Sequence, residues 1–210
     1  MSRAVIDIAT SGTDPKLHAI LELCIIKVDE SYNVIDTLSL RIRHKNLVVA
    51  PEAVAFNGLD LRESIDWTDE SAARDTICLF LSHSSFDAIQ SGARIAKCTY
   101  TGLGAAQDAL FLRSFLGETV YTALFMPRIS ELGTLAEACV IEGLIPQPRS
   151  SSMLELAYAA GVDVPDEGTH SANLDAQMAR DLGRALFLQL RNAGSRLRGE
   201  EPCATFDVNV

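Results

Sequence analysis

The sequence contains no Cys-x-x-Cys pair, no internal repeat, no low-complexity segment and no apolar run near the roughly 18 residues of a membrane span. The last absence argues against a membrane partner. Met1-Ser2-Arg3 leads straight into an apolar stretch, so no signal peptide is expected. The five cysteines, Cys24, Cys78, Cys98, Cys139 and Cys203, are odd in number and far apart. They read as small buried thiols of a reduced, cytoplasmic protein. Positive charge is also short: 18 Lys and Arg stand against 28 Asp and Glu, for a formal net charge of -10. That balance opposes a broad basic groove tracking a long polyanion. It does not oppose a cluster of carboxylates around divalent cations, because bound ions reverse the local charge. What is present suffices for a core. With 48% hydrophobic and 22% charged residues, the 210-residue chain suits one α/β domain over 1–195, followed by a polar tail over 196–210.

The apolar stretch from Ala4 to Ile8 reads as a buried strand that ends in the turn Thr10-Ser11-Gly12. Ala19 to Val28 reads as a second strand, apolar nearly throughout except Glu22 and therefore buried on both faces. Val34 to Arg43 is a third, in which Leu38, Leu40 and Ile42 alternate with Ser39, Arg41 and Arg43. Short loops between these strands predict an antiparallel meander. A short helix follows from Pro51 to Gly58, with Pro in its first turn and Gly at its end. A longer helix is expected over Thr68 to His83 and a strand over Ile95 to Leu103. Next come helices carrying Asp108, Leu112 and Phe115; Leu132 to Cys139; and Ser152 to about Gly161. A last helix spans about Ala172 to Asn192. The order predicts an α/β fold: an antiparallel meander continued by parallel strands in one mixed sheet, flanked by helices.

Three acids stand apart from surface charge. Asp7 lies inside the first strand, where an unpaired carboxylate is costly. Asp108 follows Gly102-Leu103-Gly104, and Asp175 lies five residues after His170. A lone acid at a helix start is commonly a cap or a dipole partner, and that reading comes first for Asp108 or Asp175 taken singly. A strand interior gives Asp7 no such role. His18, His44 and His83 have no acids at useful spacing and read as surface or packing residues.

Val5-Ile6-Asp7-Ile8-Ala9-Thr10-Ser11-Gly12-Thr13-Asp14-Pro15, followed by Ile20-Leu21-Glu22-Leu23, resembles the first motif of the DEDD exonuclease superfamily. The usual form is Asp-x-Glu-Thr-Thr/Ser-Gly-x-Asp-Pro, then Ile-x-Glu-Ile. Pro51 to Leu59 is similar to the Pro-Glu-Ala-x-x-x-Asn-Gly-Ile segment of proofreading-type members. His170-Ser171-Ala172-Asn173-Leu174-Asp175-Ala176 matches the third motif, His-x-Ala-x-x-Asp-Ala. A His five residues ahead of the Asp marks the DEDDh, or DnaQ-like, branch of epsilon-type proofreaders, RNase T and oligoribonuclease. The second motif departs from the usual Gly-His-Asn-x-x-Phe-Asp-x-x-Phe-Leu. Gly102 to Leu112 keeps the Gly, Asp108 and Phe111-Leu112 but loses the His, the Asn and the Phe before the Asp.

The resemblance implies an RNase H-like fold and a 3′→5′ exonuclease that releases mononucleotides from single-stranded DNA or RNA or from short oligonucleotides. It implies two Mg²⁺ or Mn²⁺ ions held by Asp7, Asp108 and Asp175, with His170 taking the proton of the attacking water and Thr10 and Ser11 meeting the 3′-terminal nucleotide. It also implies a homodimer or a polymerase as protein partner. Ala9 stands where the family has Glu, so an oxygen ligand and a charge are missing. Either this is a deliberate replacement in a competent enzyme, or a natural member has lost or reduced its activity. A catalytically inactive nucleic-acid- or protein-binding module is the alternative from another class. A plain α/β domain whose acids are caps and surface charges is the third.

Overall fold

The first apolar run forms β1 (Arg3–Thr10) in the computed structural model, which describes residues 2–164 and 171–201. His170, Cys203 and most of the predicted tail lie outside the described residues. β2 (Ile20–Val28) and β3 (Val34–Arg43) follow β1 as the predicted antiparallel meander. β4 (Thr68–Asp69), β5 (Thr99–Gly102) and β6 (Ser130–Glu131) all pair in parallel, giving the order β4-β3-β2-β1-β5-β6. This is the mixed, helix-flanked RNase H-like sheet that the sequence predicts.

β1 and β2 are covered on both faces, which is why β2 is almost wholly apolar. Alternation sends Ala4, Ile6, Leu23 and Ile25 to one face, and α2 (Glu70–Ser82), α3 (Phe86–Gln90), α4 (Ala105–Leu116) and α5 (Glu118–Leu124) pack there. Val5, Cys24 and Ile26 face the other way, against α6 (Leu132–Ile141), α7 (Met153–Ala159) and α8 (Ala172–Leu197). α1 (Pro51–Asn57) lies at the end of β1, where Asn57 Nδ2 donates to Thr10 O at 3.0 Å. Gly58 ends that helix at φ 64°, a left-handed conformation that favours glycine.

Several boundaries differ from those predicted. The strand expected over Ile95 to Leu103 is only Thr99–Gly102, because its partner β1 begins at Arg3, opposite Thr99. The helix expected from Thr68 starts at Glu70: Asp69 caps it by accepting from Ser71 N and Ala72 N, while Thr68 and Asp69 pair with β3. α8 runs to Leu197 rather than Asn192, since nothing interrupts it before Gly199 and Ser195 is still buried. The 3₁₀ turn Leu61–Asp66, α3 and α5 were not predicted; the two helices have only five and seven residues. Cys24, Cys78, Cys98 and Cys139 are free and buried, as expected, and burial pushes the thiols of Cys24, Cys78 and Cys98 up to about 12. Among the described residues, no helix is long and apolar enough to cross a membrane.

α8 is locked to the sheet by one close approach. The loop after β2 turns at Tyr32, which has φ 62° and is fully buried. Its ring lies over Gly183 in the middle of α8, beside Phe187, with the Arg3 guanidinium 5.5 Å from the ring centre. A Cβ at position 183 would come within 2.5 Å of the Tyr32 ring. Gly183→Ala is therefore expected to destabilise the fold by about 1–3 kcal/mol, despite alanine's better helix propensity. Urea denaturation monitored by circular dichroism measures this, and equal or greater stability would contradict the packing described.

Candidate active site

Asp7 lies on the face of β1 that looks toward α8, between Val5 and Ala9. Its carboxyl is pushed well above the usual range, first by burial and then by the like charges of Asp108, Asp175 and Glu22. Asp108 and Asp175 thus act on Asp7 as like charges, one from the first turn of α4 and the other from the first turn of α8. Each also lies where the helix dipole favours an acid. Burial, with Glu131 as the second cause, pushes Asp108 up to about 8. His170 lies outside the described residues.

Sequence reasoning missed two further acids. Glu22 stands directly opposite Ala9 in the β1–β2 ladder, 5% exposed. Its Oε2 accepts from Ala172 N at the start of α8, at 3.2 Å, and its Oε1 lies 3.6 Å from Arg41 Nε. Glu131 caps α6, and its Oε1 accepts from Gly104 N at 2.9 Å and from Gly133 N at 3.3 Å, joining the starts of α4 and α6. The signal for Glu22 was the one used for Asp7, an acid inside an apolar strand. Glu131 had only the ordinary look of a cap.

The turn after β1 is built from side-chain hydrogen bonds. Thr10 Oγ1 donates to Gly12 O at 2.7 Å. Ser11 is fully buried; its hydroxyl donates to Val48 O and accepts from Ala19 N, and its backbone bonds Ala19 and Ala50. Ser11 thus orders the turn from inside, while Thr10 stays partly accessible. Two side chains of α4 hold the same turn from outside, Gln107 Nε2 donating to Thr13 O and Ser114 Oγ to Pro15 O, each at 2.8 Å. Of the three remaining histidines, His18 packs against Gly12 and accepts from Asp14 N, His44 bridges Ile20 O and Glu70, and His83 ends α2. His18 thus packs as expected, whereas His44 meets an acid that the sequence spacing did not suggest and His83 serves as a helix cap.

The donor chemistry of Asp7, Asp108 and Asp175 is that of hard oxygen ligands, and beyond burial only like charges raise Asp7. As they stand, however, no three His, Cys, Asp or Glu side chains among the described residues are arranged to hold an ion. Ala9 is 6% exposed and packs with Leu21, Leu59 and Trp67, so position 9 belongs to an apolar cluster.

No family model matches the chain. It is 28% identical over 202 residues to ribonuclease T of Blochmanniella pennsylvanica and 26% identical over 200 residues to ribonuclease T of Escherichia coli K12, in each case covering 93% of this chain and 86% of the relative. Among solved structures, exonuclease I of Methylocaldum szegediense aligns with a TM-score of 0.68 at 17% identity. E. coli exonuclease I in complex with a dT13 oligonucleotide aligns with 0.66 at 19%. The chain spans about 45% of the Methylocaldum structure and 42% of the E. coli one.

The position of Asp108 has a consequence for stability. Folding favours its protonated form, so the folded state loses stability as pH rises from the ordinary value of 3.8 through about 8. In metal-free buffer, Asp108→Asn is expected to leave the melting temperature unchanged near pH 3.5 and to raise it by a few degrees near pH 8.5. Melting curves in EDTA at both pH values check this, and a variant indistinguishable from the parent at the higher pH contradicts it.

Proposed function

We propose, on the premise that the chain belongs to the DnaQ-like exonuclease superfamily, that it acts on free 3′ ends of single-stranded nucleic acid as a 3′→5′ exonuclease whose hydrolytic step is impaired by Ala9. The observation that supports this reading is that Asp108 and Asp175, from the starts of two different helices, both act on Asp7 of β1 as like charges. Asp7, Asp108 and Asp175 would hold Mg²⁺ or Mn²⁺. When bound, two such ions supply charge neutralisation at the phosphodiester and activation of water. His170 would accept the proton of the attacking water, for which an imidazole with a pKa near ~6.5 suits neutral pH. The turn at Thr10 and Ser11 would receive the 3′-terminal nucleotide, Ser11 by keeping the turn in shape and Thr10 by contact. Release of mononucleotides follows from attack at the last phosphodiester. The substrate is a single strand or a short oligonucleotide, with a second copy of the chain or a polymerase subunit as protein partner in a reduced, cytoplasmic setting.

A second reading is a binding module on an inactive nuclease fold. It is favoured by the apolar packing of Ala9 against Leu21, Leu59 and Trp67. One substitution separates the two. Ala9→Glu restores an oxygen ligand on the same face as Asp7. The variant is expected to melt lower than the parent in EDTA, because it adds a buried carboxylate beside Asp7 and Glu22, and to recover with Mn²⁺. On a 5′-labelled single strand with Mn²⁺ it is expected to produce a ladder at least ~100-fold faster than the parent, since even supporting residues of metal sites change activity 10–100-fold. Absence of a ladder at every metal concentration, with unchanged single-strand binding, would leave the binding module as the function.

A further inference from the structure

Glu22 has no part in the chemistry above, yet it is a buried carboxylate in the most apolar strand of the sheet. Its place follows from register: it faces Ala9 across the ladder, and Cys24, two residues on, faces Asp7. Both side chains of β2 reach the first turn of α8. Glu22 Oε2 accepts from Ala172 N at 3.2 Å, and Cys24 Sγ donates to Asn173 Oδ1 at 3.6 Å. The first amides of a helix have no partner within the helix. Ser171, the cap, takes the amide of Leu174, and Glu22 takes that of Ala172. Asp175 lies in the turn so held.

Hydrogen bonds to a charged acceptor are roughly twice as strong as neutral ones, and an anion at a helix N-terminus is favoured by the helix dipole. A buried glutamate there gains on both counts. It also adds a like charge beside Asp7, where a neutral acceptor would add none.

We propose that Glu22 is the positioning residue for Asp175: it clamps the first turn of α8 to β2 and so sets the distance between Asp175 and Asp7. The metal-related part rests on the proposed nuclease reading. The clamp itself does not.

The test uses the full chain with Mn²⁺ as the probe. Mn²⁺ binding is measured by electron paramagnetic resonance, amide hydrogen exchange is followed at Ala172 and Leu174, and the Asp175 carboxyl carbon shift is read by NMR. Glu22→Gln keeps an acceptor oxygen for Ala172, whereas Glu22→Ala removes it. Glu22→Ala is expected to lower Mn²⁺ affinity by 10–100-fold, roughly the loss seen when supporting residues of metal sites are removed. It should also speed exchange at Ala172 by at least about tenfold and shift the Asp175 carboxyl signal. Glu22→Gln should stay near the parent, within about threefold, in all three readouts. If Gln is as damaging to Mn²⁺ binding as Ala while exchange stays slow, Glu22 acts as a ligand or by its charge, and the proposal is overturned. If Ala speeds exchange but leaves Mn²⁺ affinity and the Asp175 signal unchanged, the contact is only structural, which also overturns it. A parent that takes up no Mn²⁺ sinks the metal reading alone; exchange and the carboxyl signal then decide the clamp. Circular dichroism melts of both variants separate these outcomes from unfolding.

Discussion

The fold turns on one constraint, a carboxylate held inside a strand that is covered on both faces. Asp7 cannot leave β1 without reversing the alternation that sends Val5 to one core and Ile6 to the other. Its charged form is disfavoured by burial and by three neighbouring acids. The architecture concentrates this strain instead of dispersing it. α4 and α8 both begin beside β1, and each carries an aspartate in its first turn. The helix dipoles favour those acids locally, while their convergence opposes ionisation at the shared place. A protein that needed only stability would have apolar side chains here, because replacing buried charges by well-packed hydrophobic groups is often neutral or stabilising. The like charge around Asp7 is therefore not explained by stability alone.

The surrounding hydrogen bonds keep that arrangement from relaxing. Glu22 and Glu131 each hold the start of an aspartate-bearing helix, one from β2 and the other from β6. The turn after β1 is fixed from inside by Ser11 and from outside by Gln107 and Ser114 of α4. This gives the altered second motif a physical meaning. Gly104 stands at φ 69° and donates its amide to Glu131. Gln107, where the family has an aromatic residue, ties α4 to Thr13. Both positions thus take part in hydrogen bonds that hold α4.

The sequence carried much of this. Strict alternation made β3 legible, the long apolar run made β2 legible, and Pro51 and Gly58 bracketed α1 closely. α3 and α5 lack the Pro–Gly bracket or capping box that marked the short α1 and α7, and β5 is too short for its ends to be inferred without knowing where β1 begins. The site divided along the same line. Asp7 was legible because an acid in an apolar strand breaks the local rule. Glu22 broke the same rule, but its meaning depended on register, since only the ladder sets it across from Ala9 and under the first turn of α8. Glu131 broke no rule, and only its bond to Gly104 reveals that it reaches a second helix.

Register also changes what Ala9 means. A glutamate at that position would stand directly across from Glu22 and two residues from Asp7 on the same face. Like charges directly opposite in a sheet cost roughly 0.2–1 kcal/mol even where solvent screens them, and more in a buried setting. The alanine methyl instead joins Leu21, Leu59 and Trp67, so the position contributes apolar burial where it would have contributed repulsion. An alanine at position 9 therefore avoids a repulsion that a glutamate there would add to the metal-free fold. Asp108 and Asp175 still act on Asp7 as like charges, so an alanine at position 9 leaves that repulsion in place. The helices that carry Asp108 and Asp175 are held at their starts by Glu131 and Glu22, whereas Ala9 is paired in the β1–β2 ladder and packs in an apolar cluster. Position 9 therefore bears on the charge beside Asp7 and not on how the starts of α4 and α8 are held.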